Sequence, residues 1–351
     1  MRVGVCGNGM IVRQALSCFA KAEIPVTALW CRNPDHGQPV ADAFHISSVY
    51  TDYDAFLKDG SFDTVYIGLA NSAHDAFAKK AMLAGKNVIV EKPFCATYAQ
   101  AQELVQIAQE TGAWLFEAIM SRYSANYEEL IPWLDKLGDL TLIRCNFSQY
   151  SSRYDRYVNH DVAPAFDPAL AGGALYDLNV YNVHFVAGLF GAPRFSYYMA
   201  NKGWNGIDTS GVLLMDYGQF KAVCTAAKDS ASHSGIVMQG TDGTIVIDDR
   251  PGYIDNVTFT DRKTKAVTRI DTHEEPDKMV TEFVRMQEVM DHNERSQMEI
   301  WLQRSLQVMA VLDNGRQDAG IVFPCDEETE ETQEQTQEMP EIMKHFNMGG
   351  F

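Results

Sequence analysis

The sequence predicts an α/β fold with two domains: an N-terminal doubly wound parallel sheet, and a C-terminal α+β domain whose large sheet is mostly antiparallel and open on one face. Two patterns carry this prediction. In the first 121 residues, short continuous apolar runs alternate with alanine-rich helical stretches, as expected for strands buried on both faces of a parallel sheet. Beyond them, runs of β-branched and aromatic residues are separated by turns, which is typical of antiparallel strands.

The same patterns locate the individual elements. In the first domain we expect strands at 2–6, 26–31, 64–69, 87–90 and 114–116, with helices at 11–22, 73–84 and 98–111. In the second we expect strand-like stretches at 141–150, 211–227, 234–247 and 257–270, with helices at 175–190 and 277–313. The predicted domains are 1–121 and 122–325. An acidic tail follows at 326–351, where Asp, Glu, Gln and Thr dominate and no core can form.

Composition narrows the class of partner. The 351 residues carry a formal net charge of −18, which argues against nucleic acid and against an anionic membrane surface. The seven cysteines form no C-x-x-C pair, and no His, Cys and acidic cluster has metal-ligand spacing. We therefore expect free thiols and no metal. No signal peptide or membrane-spanning stretch is visible, so we expect a cytoplasmic protein.

A glycine turn directly follows the first expected strand and opens a helix. The first glycine allows the tight turn, the second lets the backbone approach a pyrophosphate, and the helix N-terminus supplies free N–H groups. The turn predicts a Rossmann dinucleotide site, the alternative being an ordinary strand-to-helix turn. Val12 stands where a third small residue is usual, so we expect the helix to sit slightly further from the strand. The predicted cofactor contacts here are Gly7, Asn8, Gly9, Met10 and Ile11.

The end of the second expected strand bears on which dinucleotide is bound. An acidic residue there would accept hydrogen bonds from the adenosine ribose and favour NAD. This chain instead has Cys31 followed by Arg32, whose guanidinium can pair with a 2′-phosphate. The alternative is a solvated surface arginine. We therefore expect NADP as the cofactor, with NAD possible.

Motifs further along the chain resemble the Gfo/Idh/MocA family (glucose–fructose oxidoreductase/inositol dehydrogenase). The first is Glu91-Lys92-Pro93, at the end of the fourth expected strand. The stretches 63–67, 71–74 and 85–88 agree with it, residues 117–123 resemble the crossover into the second domain, and 172–181 resemble the catalytic helix. Within the family, a tyrosine four residues after the aspartate, here Tyr181 after Asp177, resembles the dimeric dihydrodiol dehydrogenase-like branch. Ala70, where the family usually has proline, departs from the pattern.

This resemblance implies roles for particular residues. It places Asn71, His74, Glu91 and Lys92 at the cofactor, and it gives Lys92 a second role toward the nicotinamide ribose and the substrate hydroxyl. It also implies a homodimer or higher homo-oligomer, as does a sheet with one open face. Pro93 is expected to follow a cis peptide that aims the lysine into the cleft.

Asp177 and Tyr181 are spaced i and i+4, so on a helix they project from one face. We predict that Tyr181 is the acid/base, that Asp177 orients, and that the charge of Lys92 lowers the pKa of Tyr181 from its unperturbed value near 10. The alternatives are a tyrosine packed in the core and an aspartate that merely stabilises a helix start. Candidate substrate contacts are Arg122, Tyr123, His160 and His184, with a histidine packed in the core as an equal alternative for His184.

The sequence thus predicts an NAD(P)-dependent oxidoreductase, a dehydrogenase or reductase acting on CH–OH donors. It would transfer a hydride between nicotinamide and a carbinol or carbonyl carbon of a sugar, polyol or trans-dihydrodiol. The alternative from another class is a non-catalytic NAD(P)-sensing regulatory protein that uses the same fold. Such a protein would be free to lose the lysine or the acid/base, and this chain keeps both Lys92 and Tyr181.

Overall fold

The computed structural model describes residues 1–270 and 276–326. All of the expected acidic tail except Asp326 therefore lies outside the described residues. Within the described part, no helix is long and apolar enough to cross a membrane.

The N-terminal domain is built on a six-stranded parallel sheet of order β3-β2-β1-β4-β5-β6. Its strands are β1 (Val3–Cys6), β2 (Val26–Trp30), β3 (Ser48–Tyr50), β4 (Thr64–Ile67), β5 (Asn87–Glu91) and β6 (Leu115–Ala118). Its helices are α1 (Met10–Lys21), α2 (Pro34–Phe44), α3 (Tyr53–Leu57), α4 (His74–Leu83) and α5 (Tyr98–Thr111). This confirms the doubly wound prediction. The strand order reverses between β1 and β4, and ligands of such sheets bind at the carboxyl ends of the strands beside that reversal.

Three elements of this domain were not expected from the sequence. Strand β3 has only three residues, all half-buried, at the edge of the sheet, so it shows no apolar run. Helix α2 contains Gly37 and Pro39, both poor helix formers. The short helix α3 has five residues. Because β3 was missed, the strand that ends in Glu91 is the fifth of the chain and not the fourth.

The C-terminal domain has an eight-stranded sheet of order β14-β13-β12-β11-β7-β10-β9-β8. Only the central β7–β10 pair is parallel, which confirms a mostly antiparallel sheet. Its strands are β7 (Leu140–Ser148), β8 (Phe195–Lys202), β9 (Asp208–Asp216), β10 (Lys221–Ala227), β11 (Gly235–Gly240), β12 (Gly243–Ile247), β13 (Val257–Asp261) and β14 (Val267–Arg269). Its helices are α6 (Ala125–Leu130), α7 (Tyr154–Val158), α8 (Val180–Phe190), α9 (Lys278–Asp291) and α10 (Arg295–Asp318).

The last two helices also complete the core of the first domain. The ring of Phe283 on α9 stacks on Phe19 of α1 with centroids 3.9 Å apart. On α10, the sulfur of Met298 accepts a hydrogen bond from the backbone N–H of Leu115, at 3.4 Å. The expected boundary near residue 121 therefore separates the two sheets, whereas the chain returns across it to cover the first sheet.

One face of the large sheet is open and partly apolar. Along β8, the alternating residues Phe195, Tyr197 and Met199 are exposed, and Leu214, opposite Tyr197 on β9, is exposed as well. The other face packs against α8. A π-helical turn, Leu175–Asn179, leads directly into α8. Asp177 lies on this turn and Tyr181 on the first turn of α8.

Candidate active site

A cavity of about 800 Å³ opens at the carboxyl ends of β1, β2 and β4. The glycine turn forms its floor. Gly7 has a φ of +112°, and a Cβ there would lie 2.7 Å from the carbonyl oxygen of Gly68. At Gly9 a Cβ would meet nothing within 4 Å, so this glycine faces open space. Pro164 and Leu170, from the second domain, also line the cavity. The two domains therefore enclose it together.

The cavity suits a phosphate-bearing ligand because helix α1 points its N-terminus at it. Gly9 caps this helix without a side-chain hydrogen bond, and no acidic residue lies in the first turn. Its first N–H groups and its positive dipole end are thus left for an anion. Met10, at the first helical position, is 70% exposed, and Ile11 lines the cavity. These observations fit the pyrophosphate of a dinucleotide.

Val12 is accommodated by a glycine that the sequence analysis did not consider. Val12 is fully buried, and its Cγ2 lies 2.6 Å from the position that a Cβ at Gly68 would take. The glycine that directly follows β4 therefore leaves room for the larger side chain. Because Gly68 has no side chain, the space beside it holds the extra volume of Val12, which stands where the glycine turn usually has a small residue.

Arg32 lies on the rim of the same cavity, with Asn33 and His36 beside it. It is exposed, and among the described residues it forms no ion pair. The guanidinium is therefore available for an anionic group of a ligand. This placement fits the expected phosphate contact, which remains a prediction.

Beside the cavity, Asp177 is held between two lysines. Lys92 Nζ donates to Asp177 Oδ1 and to its backbone carbonyl, both at 2.9 Å. Lys228 Nζ donates to Asp177 Oδ2 at 2.7 Å. Burial raises the pKa of Asp177, but the charges of Lys228 and Lys92 outweigh it and hold that pKa well below its usual range. The carboxylate is therefore charged at neutral pH, and the cluster has a net charge of +1.

Lys92 itself follows β5 directly, and the Lys92–Pro93 peptide is cis, as expected from the sequence. Its side chain is 16% exposed. Burial lowers the pKa of Lys92. The interactions of Lys92 with Tyr181 and Asp177 raise that pKa by more than burial lowers it, so the net direction is upward. Lys92 is thus an ammonium group at the mouth of the cleft.

Tyr181 lies next to this cluster. Lys92 Nζ is 5.1 Å from the centroid of the Tyr181 ring, and Phe147 packs on the ring with centroids 5.6 Å apart. The backbone of Gly252 approaches from another side, since a Cβ there would lie 3.1 Å from the ring. Among the described residues, the Tyr181 hydroxyl has no hydrogen-bond partner. The structure therefore brings together all three residues predicted for catalysis.

The expected direction of the pKa shift at Tyr181 is wrong. Burial raises the pKa of Tyr181 to about 12, and the opposing effect of Lys92 is smaller than that of burial. The charges of Glu91 and Asp177 raise the pKa further. The physical reason is that burial of the phenol disfavours its charged form by more than the charge of Lys92 favours it.

Three of the expected cofactor residues hold the loops of the site. Asn71 Nδ2 donates to the carbonyl of Ala171 at 2.7 Å, joining the two domains. The His74 ring nitrogens lie 2.9 Å from the Pro93 carbonyl and 3.3 Å from the Leu69 carbonyl. Glu91 accepts a 2.6 Å hydrogen bond from the hydroxyl of Tyr66, and burial raises its pKa to about 7. His74 and Glu91 are buried, so they act here through the positions of neighbouring loops.

The four expected substrate contacts lie elsewhere. Arg122 donates to Nδ1 of His184 at 3.1 Å, and Nε2 of His184 lies 3.1 Å from Glu117 Oε1. The Tyr123 hydroxyl donates to the backbone carbonyl of Glu117 at 2.8 Å. These three side chains are buried, and their polar atoms contact one another, Glu117 or Ser305, so the arrangement does not favour substrate contact. His160 is exposed, with its ring 4.4 Å from the ring of Trp204.

Lys228 was missed in the sequence analysis. It follows β10 and is only 2% exposed, and besides Asp177 it donates to the carbonyl of Ala165 at 2.6 Å. The available signal was a lysine directly after an apolar strand that ends in two alanines, at the carboxyl end of a strand. A charged residue in that position is costly to bury unless it has a partner.

Within residues 1–270 and 276–326, no group of three or more His, Cys, Asp or Glu side chains could hold a metal ion. All seven cysteines are free thiols, and six of them are buried.

Comparison with known proteins extends these observations. Residues 1–119 match the family model described as "Oxidoreductase family, NAD-binding Rossmann fold", and residues 134–246 match the GFO/IDH/MocA C-terminal domain. The chain is 30% identical to scyllo-inositol 2-dehydrogenase (NADP(+)) IolU of Bacillus subtilis (strain 168) over 339 residues, which are 93% of this chain and 99% of that protein. It is also 30% identical to trans-1,2-dihydrobenzene-1,2-diol dehydrogenase of Xenopus tropicalis over 253 residues, 70% of this chain and 74% of the other.

Solved structures share the fold at lower identity. A 3-ketoreductase from Actinomadura kijaniata, KijD10, in complex with NADP and TDP-benzene, superposes with a TM-score of 0.77 at 21% identity, covering 91% of this chain and 97% of the other. Levoglucosan dehydrogenase in complex with NADH and L-sorbose gives a TM-score of 0.78 at 16% identity, with the same coverage.

The matched residues cover the first sheet with its glycine turn, strands β7 to β11 and most of β12 of the second sheet, and the π-helical turn that carries Asp177. The chain therefore belongs to the Gfo/Idh/MocA family of oxidoreductases, whose N-terminal domain is an NAD-binding Rossmann fold.

Proposed function

We propose that this protein is an NADP-preferring dehydrogenase or reductase that interconverts a secondary alcohol and a ketone on a sugar, a polyol or a trans-dihydrodiol. One observation carries the proposal: a charged carboxylate, Asp177, is held between two lysines, one of which lies over the ring of Tyr181 beside the dinucleotide cleft. A phenol, an ammonium group and an orienting carboxylate are what proton transfer at a carbinol oxygen requires.

The residues at the cleft fit the cofactor. The turn at Gly7, Asn8 and Gly9 and the uncapped N-terminus of α1 would hold the pyrophosphate. Arg32 on the rim would pair with the 2′-phosphate of NADP. When bound, NADP supplies the acceptor or donor of the hydride at its nicotinamide ring.

The side chains of this chain would move and hold the proton. Tyr181 donates its hydroxyl proton to the substrate oxygen in the reductive direction, and its pKa of about 12 keeps that proton in place beforehand. Lys92 has three N–H donors, and Asp177 accepts two of them. The remaining donor is available to the same substrate oxygen, so that the developing negative charge is stabilised from two sides. Asp177 fixes the position of the ammonium group.

The names of two relatives support a choice of substrate class. The relative that spans nearly the whole chain is named for an inositol, and others are named for a dihydrodiol. In both, the reacting carbon belongs to a ring that carries a neighbouring hydroxyl. We therefore propose a cyclic vicinal diol as the reacting unit, with cyclic polyols to be tried first.

Initial rates of nicotinamide absorbance change across inositols, aldoses, polyols and trans-diols test this proposal, each with NADP and with NAD. We expect activity on at least one cyclic vicinal diol, and loss of that activity in Lys92→Ala. The matched control is Lys221→Ala, which removes a surface lysine, about half exposed, from β10. Full activity in Lys92→Ala would overturn the assignment. Equal loss in both variants would point to a general defect of the fold.

A homodimer or higher oligomer and a cytoplasmic location are also part of the proposal. The exposed apolar residues of β8 support association through the open sheet. Light scattering on the purified protein, compared with a variant that carries Phe195→Glu, tests it. A monomeric mass for the unmodified protein would remove this part of the proposal.

A further inference from the structure

The second lysine of the cluster has no role in the reaction described above. Lys228 is almost completely buried, and its ammonium group has three contacts: Asp177 Oδ2 at 2.7 Å, the Ala165 carbonyl at 2.6 Å, and the ring of Phe166, whose centroid lies 4.4 Å away. A buried ammonium group is retained in a fold only where its partners compensate for the lost hydration. Each of these partners belongs to a part of the molecule that matters for the site.

The first partner links Lys228 to Lys92. The two lysines bind opposite oxygens of one carboxylate, so each limits how strongly Asp177 holds the other. Without Lys228, the full charge of Asp177 would act on Lys92. The ammonium group of Lys92 would then be held more tightly and would be less able to turn toward a substrate oxygen.

The other two partners link Lys228 to the cofactor cleft. Ala165 and Phe166 lie in the segment that also contributes Pro164 and Leu170 to the wall of the cleft. Asn71, at the opposite wall, donates to the carbonyl of Ala171 at the end of the same segment. The segment is thus anchored at one end to the first domain and in its middle to Lys228.

We propose that Lys228 is a positioning residue with two roles. It binds the second carboxylate oxygen of Asp177 and so weakens the hold of Asp177 on Lys92, and it fixes the 163–171 segment as a wall of the dinucleotide cleft. The proposal rests on the proposed function only where it assigns Lys92 to the reaction. Its two physical consequences, a less tightly held Lys92 and a fixed cleft wall, hold whether or not a substrate has been found. They are therefore tested without turnover.

The test uses Lys228→Gln, which keeps a donor for the Ala165 carbonyl but removes the charge. The matched control is Lys86→Gln, directly before β5 and therefore at the opposite end of that strand from Lys92. Lys86 is also buried, donates to two backbone carbonyls and lies 4.3 Å from the centroid of a phenylalanine ring, Phe62. Among the residues that the structure describes, no carboxylate forms an ion pair with it. The pair separates loss of a buried lysine from loss of its contact with Asp177.

The first measurement is the rate at which an amine-acetylating reagent modifies Lys92 in the intact protein, followed by mass spectrometry of the Lys92 peptide. We expect acetylation in Lys228→Gln to be roughly threefold slower or more, because the fraction of free amine falls tenfold for each unit by which the pKa of Lys92 rises. Lys86→Gln should react at the wild-type rate, and Lys228→Arg, which restores the charge, should return toward it. An unchanged Lys92 rate in Lys228→Gln would overturn the first half of the proposal.

The second measurement is the Kd for NADPH by fluorescence titration. We expect it to rise severalfold in Lys228→Gln and to stay unchanged in Lys86→Gln. An equal Kd in wild type and Lys228→Gln would overturn the second half. If Lys228→Gln does not melt cooperatively, Lys228→Met takes its place in both measurements. Absence of turnover on every substrate, with both shifts present, would count against the proposed function and leave the role of Lys228 standing.

Discussion

Arg32 should decide between NADP and NAD, and Arg32→Ala tests this. The guanidinium stands on the rim of the cleft, is exposed, and has no ion pair among the described residues. It therefore gives up no internal partner when it binds a phosphate. The nearest carboxylate along the chain is that of Asp35, and it forms no ion pair with Arg32.

The expected magnitude follows from this placement. A hydrogen-bonded contact between charged groups contributes about 1.5–3 kcal/mol when shielded from water. Because Arg32 is exposed, solvent screening reduces this, and we take about 1–2 kcal/mol. That corresponds to a rise of roughly 5- to 30-fold in the Kd for NADPH. The Kd for NADH should not change, since NADH carries no 2′-phosphate.

The assay is fluorescence titration of wild type and Arg32→Ala with NADPH and with NADH at one fixed ionic strength. Arg262→Ala, which removes an exposed arginine from the second sheet, controls for a change in net charge. An equal loss for both cofactors would mean that Arg32 contacts a part common to both. No loss for either would refute the phosphate assignment and leave Arg32 as a solvated side chain.

Three further predictions concern the glycine turn, the acid/base and the buried network. Gly7→Ala should destabilise the protein by about 1–3 kcal/mol in urea unfolding and weaken NADPH binding, because φ is +112° and the new Cβ would lie 2.7 Å from the Gly68 oxygen. Tyr181→Phe should lower kcat by about 10²–10⁴-fold with an unchanged melting temperature, since the ring contacts remain; activity within twofold of wild type would exclude the acid/base role. Burial raises the pKa of Glu117, but His184, Arg122 and Ser305 outweigh it and bring it to about 2. Its stabilisation, on the order of 3 kcal/mol, should be complete above pH 4.5 and be lost as pH falls toward 2. Urea unfolding of wild type and Glu117→Gln across that range measures this, and a pH-independent difference would contradict it.

Periodicity alone was enough to predict most of the two sheets. Strands such as β1 and β5 are largely apolar runs that are buried on both faces. A run of this kind can be predicted from the local sequence, without knowledge of the strands that pair with it. The elements that were missed do not have this signature. Strand β3 is short and half-buried, helix α2 contains Pro39, and strand β8 alternates partly exposed residues at a sheet edge.

The candidate site was predictable only as far as its motifs reach. The Glu91-Lys92-Pro93 motif and the spacing of Asp177 and Tyr181 pointed to the right residues, and the structure brings them together. The partner of Asp177 on its other side, Lys228, lies 51 residues further along the chain. Its place directly after an apolar strand is a local signal of a buried lysine, but no local pattern could pair it with Asp177. For the same reason the burial of Arg122 and Tyr123 could not be anticipated.

The charge balance of the site explains why a tyrosine with a raised pKa is compatible with the proposed reaction. With two ammonium groups and one carboxylate, the cluster of Lys92, Asp177 and Lys228 has one positive charge to spare. A negative charge that develops on the substrate oxygen or on Tyr181 brings the group to neutrality. In a site partly shielded from water this compensation is worth more than in solution. Burial thus keeps the phenol protonated at rest, while the spare positive charge favours the state in which the proton has moved.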